Sequence, residues 1–124
     1  MNDRDEGRLR EMLDAAKKAQ RFVAGKTLAM LEQDEFFAAA LSYVIQNIGQ
    51  SASRVSSEVQ QQFTQIAWRE IIGMRNILVH DYLNTRYDIL WNAAPISVPE
   101  LVRQLEAILP PFVDEDVESN PDDV

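Results

Sequence analysis

Apolar residues recur along this chain at helical intervals and almost never in alternation. Over 5–24 they fall at Leu9, Met12, Leu13, Ala16, Ala19 and Val23, with charge on the opposite side. That spacing predicts an amphipathic helix ending near Gly25. Lys26 and Thr27 connect it to a helical turn around Leu28 to Leu31, and Asp34 is placed to cap a second helix. There Phe36, Phe37, Ala40, Leu41, Val44, Ile45 and Ile48 are dense enough to predict burial on two sides, and in so small a protein one of those sides is expected to meet another subunit. Gly49 interrupts this helix and is followed by Ser51, Ala52 and Ser53. A glycine inside a helix costs about 1 kcal/mol relative to alanine, which leaves a close helix–helix approach and simple tolerance as equal explanations.

The polar run from Ser56 to Gln62 reads as the end of that helix and a loop, after which Phe63 to Tyr82 carries the pattern of a third helix. Asn84 or Thr85 is placed to cap a fourth, with Tyr87, Leu90 and Trp91 turned inward and Pro95 ending it. Ser97, with Pro99 and Glu100 behind it, opens a fifth on Leu101, Val102, Leu105 and Leu109, closed by Pro110 and Pro111. No strand pattern, internal repeat or phosphate-binding glycine loop interrupts this order. The expected architecture is all-α, an up-and-down bundle of four to five helices over residues 1–112. Residues 113–124 form an acidic tail expected to be disordered.

At 124 residues the chain holds one core, and 46% hydrophobic against 26% charged residues is the balance of a soluble globular domain. The charged start, Met-Asn-Asp-Arg-Asp-Glu-Gly-Arg, has no apolar segment behind it, and no long apolar run appears, so no membrane association and a cytoplasmic location are expected. Without cysteine there are neither disulfides nor thiolate metal sites, and with a single histidine no metal site and no cofactor are expected. The formal charge of −8 argues at first against a nucleic-acid partner. Six of the 20 acidic residues, however, lie in the last eleven positions, which leaves the body nearly balanced.

The one stretch dense in candidate chemistry runs from Trp68 to Tyr82 and contains the only histidine. At about 100° per residue, Ala67, Ile71, Met74 and Leu78 share a stripe expected to be core. Trp68, Ile72, Arg75, Val79 and Tyr82 form a second stripe, and Arg69, Asn76 and His80 a third, polar one. Arg75 and His80 are then about 140° apart on a straight helix and do not face each other by spacing alone. The arginine can curl across, the helix can distort near His80, or a second copy can supply the missing group.

Histidine is the side chain that exchanges a proton near neutral pH. His80 is therefore a candidate general base, which on an RNA substrate would take the proton of a ribose 2′-hydroxyl, and Arg75 a candidate to stabilise charge on the phosphoryl oxygens. Asn76, one turn before His80, is a candidate to orient the imidazole. A two-fold homodimer would place two copies of each group around one cleft. Structural readings stand beside these: Arg75 paired with Glu70 or Asp81, Tyr82 as a packing anchor, Asn76 satisfying a backbone group.

The segment Trp68, Ile71-Ile72-Gly73-Met74-Arg75-Asn76, Leu78-Val79-His80-Asp81-Tyr82, with its Arg-x-x-x-x-His-x-Tyr spacing, resembles the HepT-like branch of the HEPN superfamily. Tyr43, Gly49 and Ile89-Leu90-Trp91 extend the similarity over most of residues 8–109. The resemblance implies a dimerising helical bundle acting as a metal-independent endoribonuclease toxin on RNA (tRNA or mRNA), with Arg75 and His80 as the catalytic pair. It further implies a cognate nucleotidyltransferase antitoxin that attaches AMP to Tyr82, which would put negative charge and bulk beside the phosphate site. Gln50-Ser51 departs from the Glu-Ala common after this glycine, and Arg86 stands where an aspartate is frequent. A non-catalytic HEPN dimer that binds and regulates a partner nucleotidyltransferase is the alternative the same residues allow.

Overall fold

The computed structural model describes residues 1–80, 87–93 and 97–111. Among these there are seven helices and no strand: α1 (Asp3–Val23), α2 (Leu28–Gln33), α3 (Glu35–Ser53), α4 (Ser57–Gln62), α5 (Trp68–His80), α6 (Tyr87–Asn92) and α7 (Val98–Ile108). The all-α expectation is met, with the four longer helices α1, α3, α5 and α7 as the bundle. The acidic tail, the cap at Asn84 or Thr85, and Pro95 lie outside the described residues.

Local chemistry explains where the helices begin. The side chains of Asn2, Thr27, Asp34 and Ser56 accept from the backbone N–H groups of Asp5, Met30, Phe37 and Val59, satisfying donors that have no intrahelical partner. Past the end of α1, Gly25 takes φ +73°, which turns the chain away, and Lys26 N–H closes onto Val23 O at 2.9 Å. Ser97 precedes α7 as expected, but it makes no side-chain cap bond.

α3 is the central post. It packs on α1 along one face and on α5 along another, and also touches α2 and α6. α1 runs antiparallel to it, because Glu11 accepts from Ser51 Oγ at 3.0 Å while Asp5 meets Ser56. α7 lies antiparallel to α1 in turn, with Arg10 Nη2 donating to Pro110 O at 3.0 Å and Lys17 paired with Glu106 at 3.3 Å. Leu9, Met12, Leu31, Leu41, Ile45, Ile48, Ile66, Leu90 and Leu105 fill the centre. Most of the α3 residues expected to be buried are covered inside one chain, by α1 and α5, whereas Phe36 and Ala40 face solvent.

Two sequence expectations are corrected. The polar run after Ser56 is a helix, α4, and the loop lies beyond it. Ser56 can start α4 because it is held from a distance: its N–H donates to Asp5 Oδ1 at 2.9 Å and its hydroxyl to Asp5 Oδ2 at 2.8 Å. Gln60 then donates to Val55 O at 3.0 Å, tying α4 back to the chain that leaves α3. The third predicted helix also starts later than Phe63. Phe63 O receives Ile66 N–H at 3.2 Å and the Trp68 indole N–H at 3.0 Å, so the carbonyl that a continuous helix would use is spent on a turn, and α5 begins at Trp68. On α5 Trp68 and Leu78 are buried, while Ile71 and Met74 pack half-buried against the core and, with the exposed Ala67, line an open groove of about 410 Å³ against Val98 and Leu101.

Asp5 is 2% exposed and joins the two ends of the α1–α3–α4 unit. The Ser56 backbone N–H holds its carboxyl below the ordinary value of 3.8; burial opposes this, and the Ser56 hydroxyl adds to the lowering. A group whose native pKa is depressed contributes its full stability above its unfolded pKa and loses it as pH falls through the native value. Asp5→Ala is expected to lower stability by about 2 kcal/mol at pH 7, since two donors of Ser56 lose their acceptor. Thermal melts of parent and variant should differ fully at neutral pH and converge below about pH 4. An undiminished difference in acid would contradict this role.

Candidate functional site

The candidate side chains lie on α5, where it crosses α3. The two helices approach closely at Gly49, whose missing side chain leaves α3 backbone open to the stem of Arg75 and to the Ile71 carbonyl. The glycine inside α3 is thus explained by close approach and not by tolerance. Arg75 is half-buried at this seam, and Asn76 and His80 are exposed.

The guanidinium leaves the apolar seam. Arg75 Nη1 donates to Asn76 Oδ1 at 3.0 Å, and Asn76 lies one turn before His80 on the polar stripe. Of the three routes for bringing arginine and histidine together, the first matches this geometry, with the long side chain curling toward the histidine stripe. α5 is α-helical up to His80, with no distortion among the described residues. The sequence offers Asn76 as a candidate to orient the imidazole; in the structure its Oδ1 accepts from Arg75 Nη1. Among the described residues Arg75 makes no ion pair, and Glu70 faces the groove against α7. Tyr82 and Asp81 lie outside the described residues.

Gln50, the residue that departs from the expected glutamate, does not share Gly49's face. It lines a polar crevice between α1 and α3 with Glu11, Asp14, Lys18, Tyr43 and Asn47. Sequence reasoning also missed that the partner of Gly49 is Arg75 itself. Helical phase places Gly49 on one face of α3, but which helix covers that face is a tertiary fact. Among the described residues no group of three carboxylate or imidazole side chains is gathered to hold a metal ion.

The geometry offers a fork of donors, an amide that accepts from it and an exposed imidazole on adjoining turns of one helix. Such a set suits contact with a phosphodiester: charge neutralisation by the guanidinium and proton exchange by the imidazole.

Comparison with known proteins points the same way. The family model described as Ribonuclease HepT-like matches residues 12–108. A protein of Methanocaldococcus jannaschii named "Putative RNase" is 28% identical over 69 residues, 56% of this chain and 63% of its own length. One of the same description from Caldanaerobacter subterraneus subsp. tengcongensis is 29% identical over 87 residues, 70% of this chain and 78% of its own. The "Probable ribonuclease HepT" of Thermococcus cleftensis is 25% identical over 69 residues, covering 56% and 63%. No solved structure matches.

Because His80 and Asn76 are exposed and hold nothing in the core, His80→Ala and Asn76→Ala should each change unfolding free energy by no more than about 0.5 kcal/mol. Denaturant titration checks this, and a larger loss in either variant would mean a packing role that the structure does not contain.

Proposed function

Since this chain belongs to the Ribonuclease HepT-like family, we propose that it is a metal-independent endoribonuclease whose working side chains are Arg75 and His80. The observation that carries the reading is the Arg75–Asn76 hydrogen bond, which turns the guanidinium toward the stripe of the exposed His80. His80 takes the proton of a ribose 2′-hydroxyl. The 2′-oxygen bonds to phosphorus and the bond from phosphorus to the 5′-oxygen breaks, leaving a 2′,3′-cyclic phosphate and a 5′-hydroxyl. The departing 5′-oxygen collects a proton from a second acid, for which His80 of another copy is the natural source in a homodimer. Arg75 meets the charge that builds on the phosphoryl oxygens, and Asn76 braces the fork.

A homodimer gains support from apolar side chains left in solvent on α3 and α5: Phe36 is 90% exposed, Tyr43 66% and Ile77 43%. The reading extends to a cytoplasmic toxin–antitoxin role, with tRNA or mRNA as substrate and a minimal nucleotidyltransferase as the neutralising partner. That partner would attach AMP to Tyr82, two residues beyond His80, where added negative charge repels phosphate.

The test is incubation of the purified protein, checked by mass for modification, with total tRNA and an mRNA in EDTA. Discrete fragments ending in 2′,3′-cyclic phosphate are expected. His80→Ala should lower the rate by about a hundred- to ten-thousandfold, and Arg75→Ala by about a hundred- to a thousandfold. Intact RNA with unmodified parent protein would favour the regulatory dimer instead. For the modification, treatment with ATP and a nucleotidyltransferase encoded beside this chain should add AMP to the parent and silence it, whereas Tyr82→Phe should stay active and take up none. Equal AMP uptake by Tyr82→Phe would exclude that residue as the acceptor.

A further inference from the structure

Gly49 sits inside α3, where alanine would ordinarily make the more stable helix. A Cβ built at this position overlaps the Cβ of Arg75 and comes within 3.0 Å of both its Cγ and the Ile71 carbonyl oxygen. The overlapping atom is fixed to the α5 backbone, so no rotamer of Arg75 relieves the clash. The two helices would have to part. The arginine stem is therefore laid across bare α3 backbone, and its outer end is held by Asn76 at 3.0 Å.

We propose that Gly49 is a positioning residue for Arg75: the slot it leaves in α3 fixes the arginine stem, so that the guanidinium is aimed from two helices and not from α5 alone. The inference rests on the reading of Arg75 as the group that meets the phosphoryl charge. The three heavy atoms nearest to a Cβ at Gly49 belong to Arg75 and Ile71, and His80 is exposed, so the glycine acts on charge stabilisation and leaves proton exchange alone. Misplacement of a reacting group by about 1 Å costs on the order of a hundredfold in rate.

Gly49→Ala is expected to lower kcat by about a hundredfold while the pH profile keeps its shape. The side-chain Nε–Hε resonance of Arg75, identified by its loss in Arg75→Lys, should shift in the same variant. An unchanged kcat together with an unmoved resonance overturns the proposal. The decisive background is Arg75→Gly, which removes the overlapping Cβ. If low, non-denaturing guanidinium restores cleavage there, adding Gly49→Ala should leave the restored rate within about twofold. A loss as large as in the parent background would show that the glycine serves the bundle generally, and would refute positioning through the stem. Should Gly49→Ala fail to fold, the proposal requires the double variant to fold; a double variant that also fails contradicts it. If the parent cleaves no RNA, the ribonuclease reading falls by itself, and the Arg75 resonance still decides whether Gly49 places the side chain.

Discussion

The close crossing of α3 and α5 at Gly49 is the contact on which the rest of the candidate site depends. α3 is fixed on its other side by α1, where Leu9, Met12, Ala16 and Ala19 are completely buried, and the Ser51–Glu11 and Ser56–Asp5 hydrogen bonds set the register. Dispersion and burial along that face make α3 a rigid reference. α5 has little burial of its own, with only Trp68 and Leu78 inside. It is placed by what it presses against. An arginine stem on an exposed helix would sample many rotamers, whereas one lying across the α3 backbone has fewer to choose from.

The crossing also resolves a difficulty of helical geometry. Arg75 and His80 lie about 140° apart around a straight helix, too far for their side chains to converge by direction alone. Asn76 stands between them in angle, next to Arg75 in sequence and one turn from His80. Its amide oxygen takes the guanidinium at 3.0 Å. On the proposed reading, that hydrogen bond lets the Arg-x-x-x-x-His spacing serve one phosphodiester from a regular α-helix. On the same proposal a second copy would supply the additional proton donor, and Phe36 and Tyr43, which face solvent, are apolar surface for it to meet.

Much of this was legible in the sequence, for reasons that can be named. The α1 stripe and the Asp34 cap are local signals of period and capping, and both appear where the pattern puts them. α4 was only partly legible: the Ser56 cap on the Val59 N–H is a local signal, whereas the bond that anchors Ser56 to Asp5 spans 51 positions and leaves no trace in a window of neighbouring residues. The late start of α5 has the same origin, because the Trp68 indole reaches back to Phe63 O and ends the helical pattern that composition alone would continue. At the site, residue types and spacing pointed to Arg75, Asn76 and His80, but the sequence could not say which group Asn76 would hold. The two-sided apolar character of α3 suggests a partner subunit; α1 and α5 cover most of it from within the chain, and Phe36 is left in solvent. Periodicity reports that a face is buried and is silent on what covers it.

The assignment of Arg75, Asn76 and His80 to one phosphate-facing site is tested most directly by nuclear magnetic resonance with an uncleavable ligand. An RNA oligonucleotide with 2′-O-methyl riboses has no 2′-hydroxyl proton to lose and is not cut by transphosphorylation. Titrated into labelled protein, it should perturb the Arg75 Nε–Hε, the Asn76 side-chain amide and the His80 imidazole together, with one common affinity. Perturbations that bypass these three and gather instead in the α1–α3 crevice around Lys18 and Asn47 would contradict the assignment.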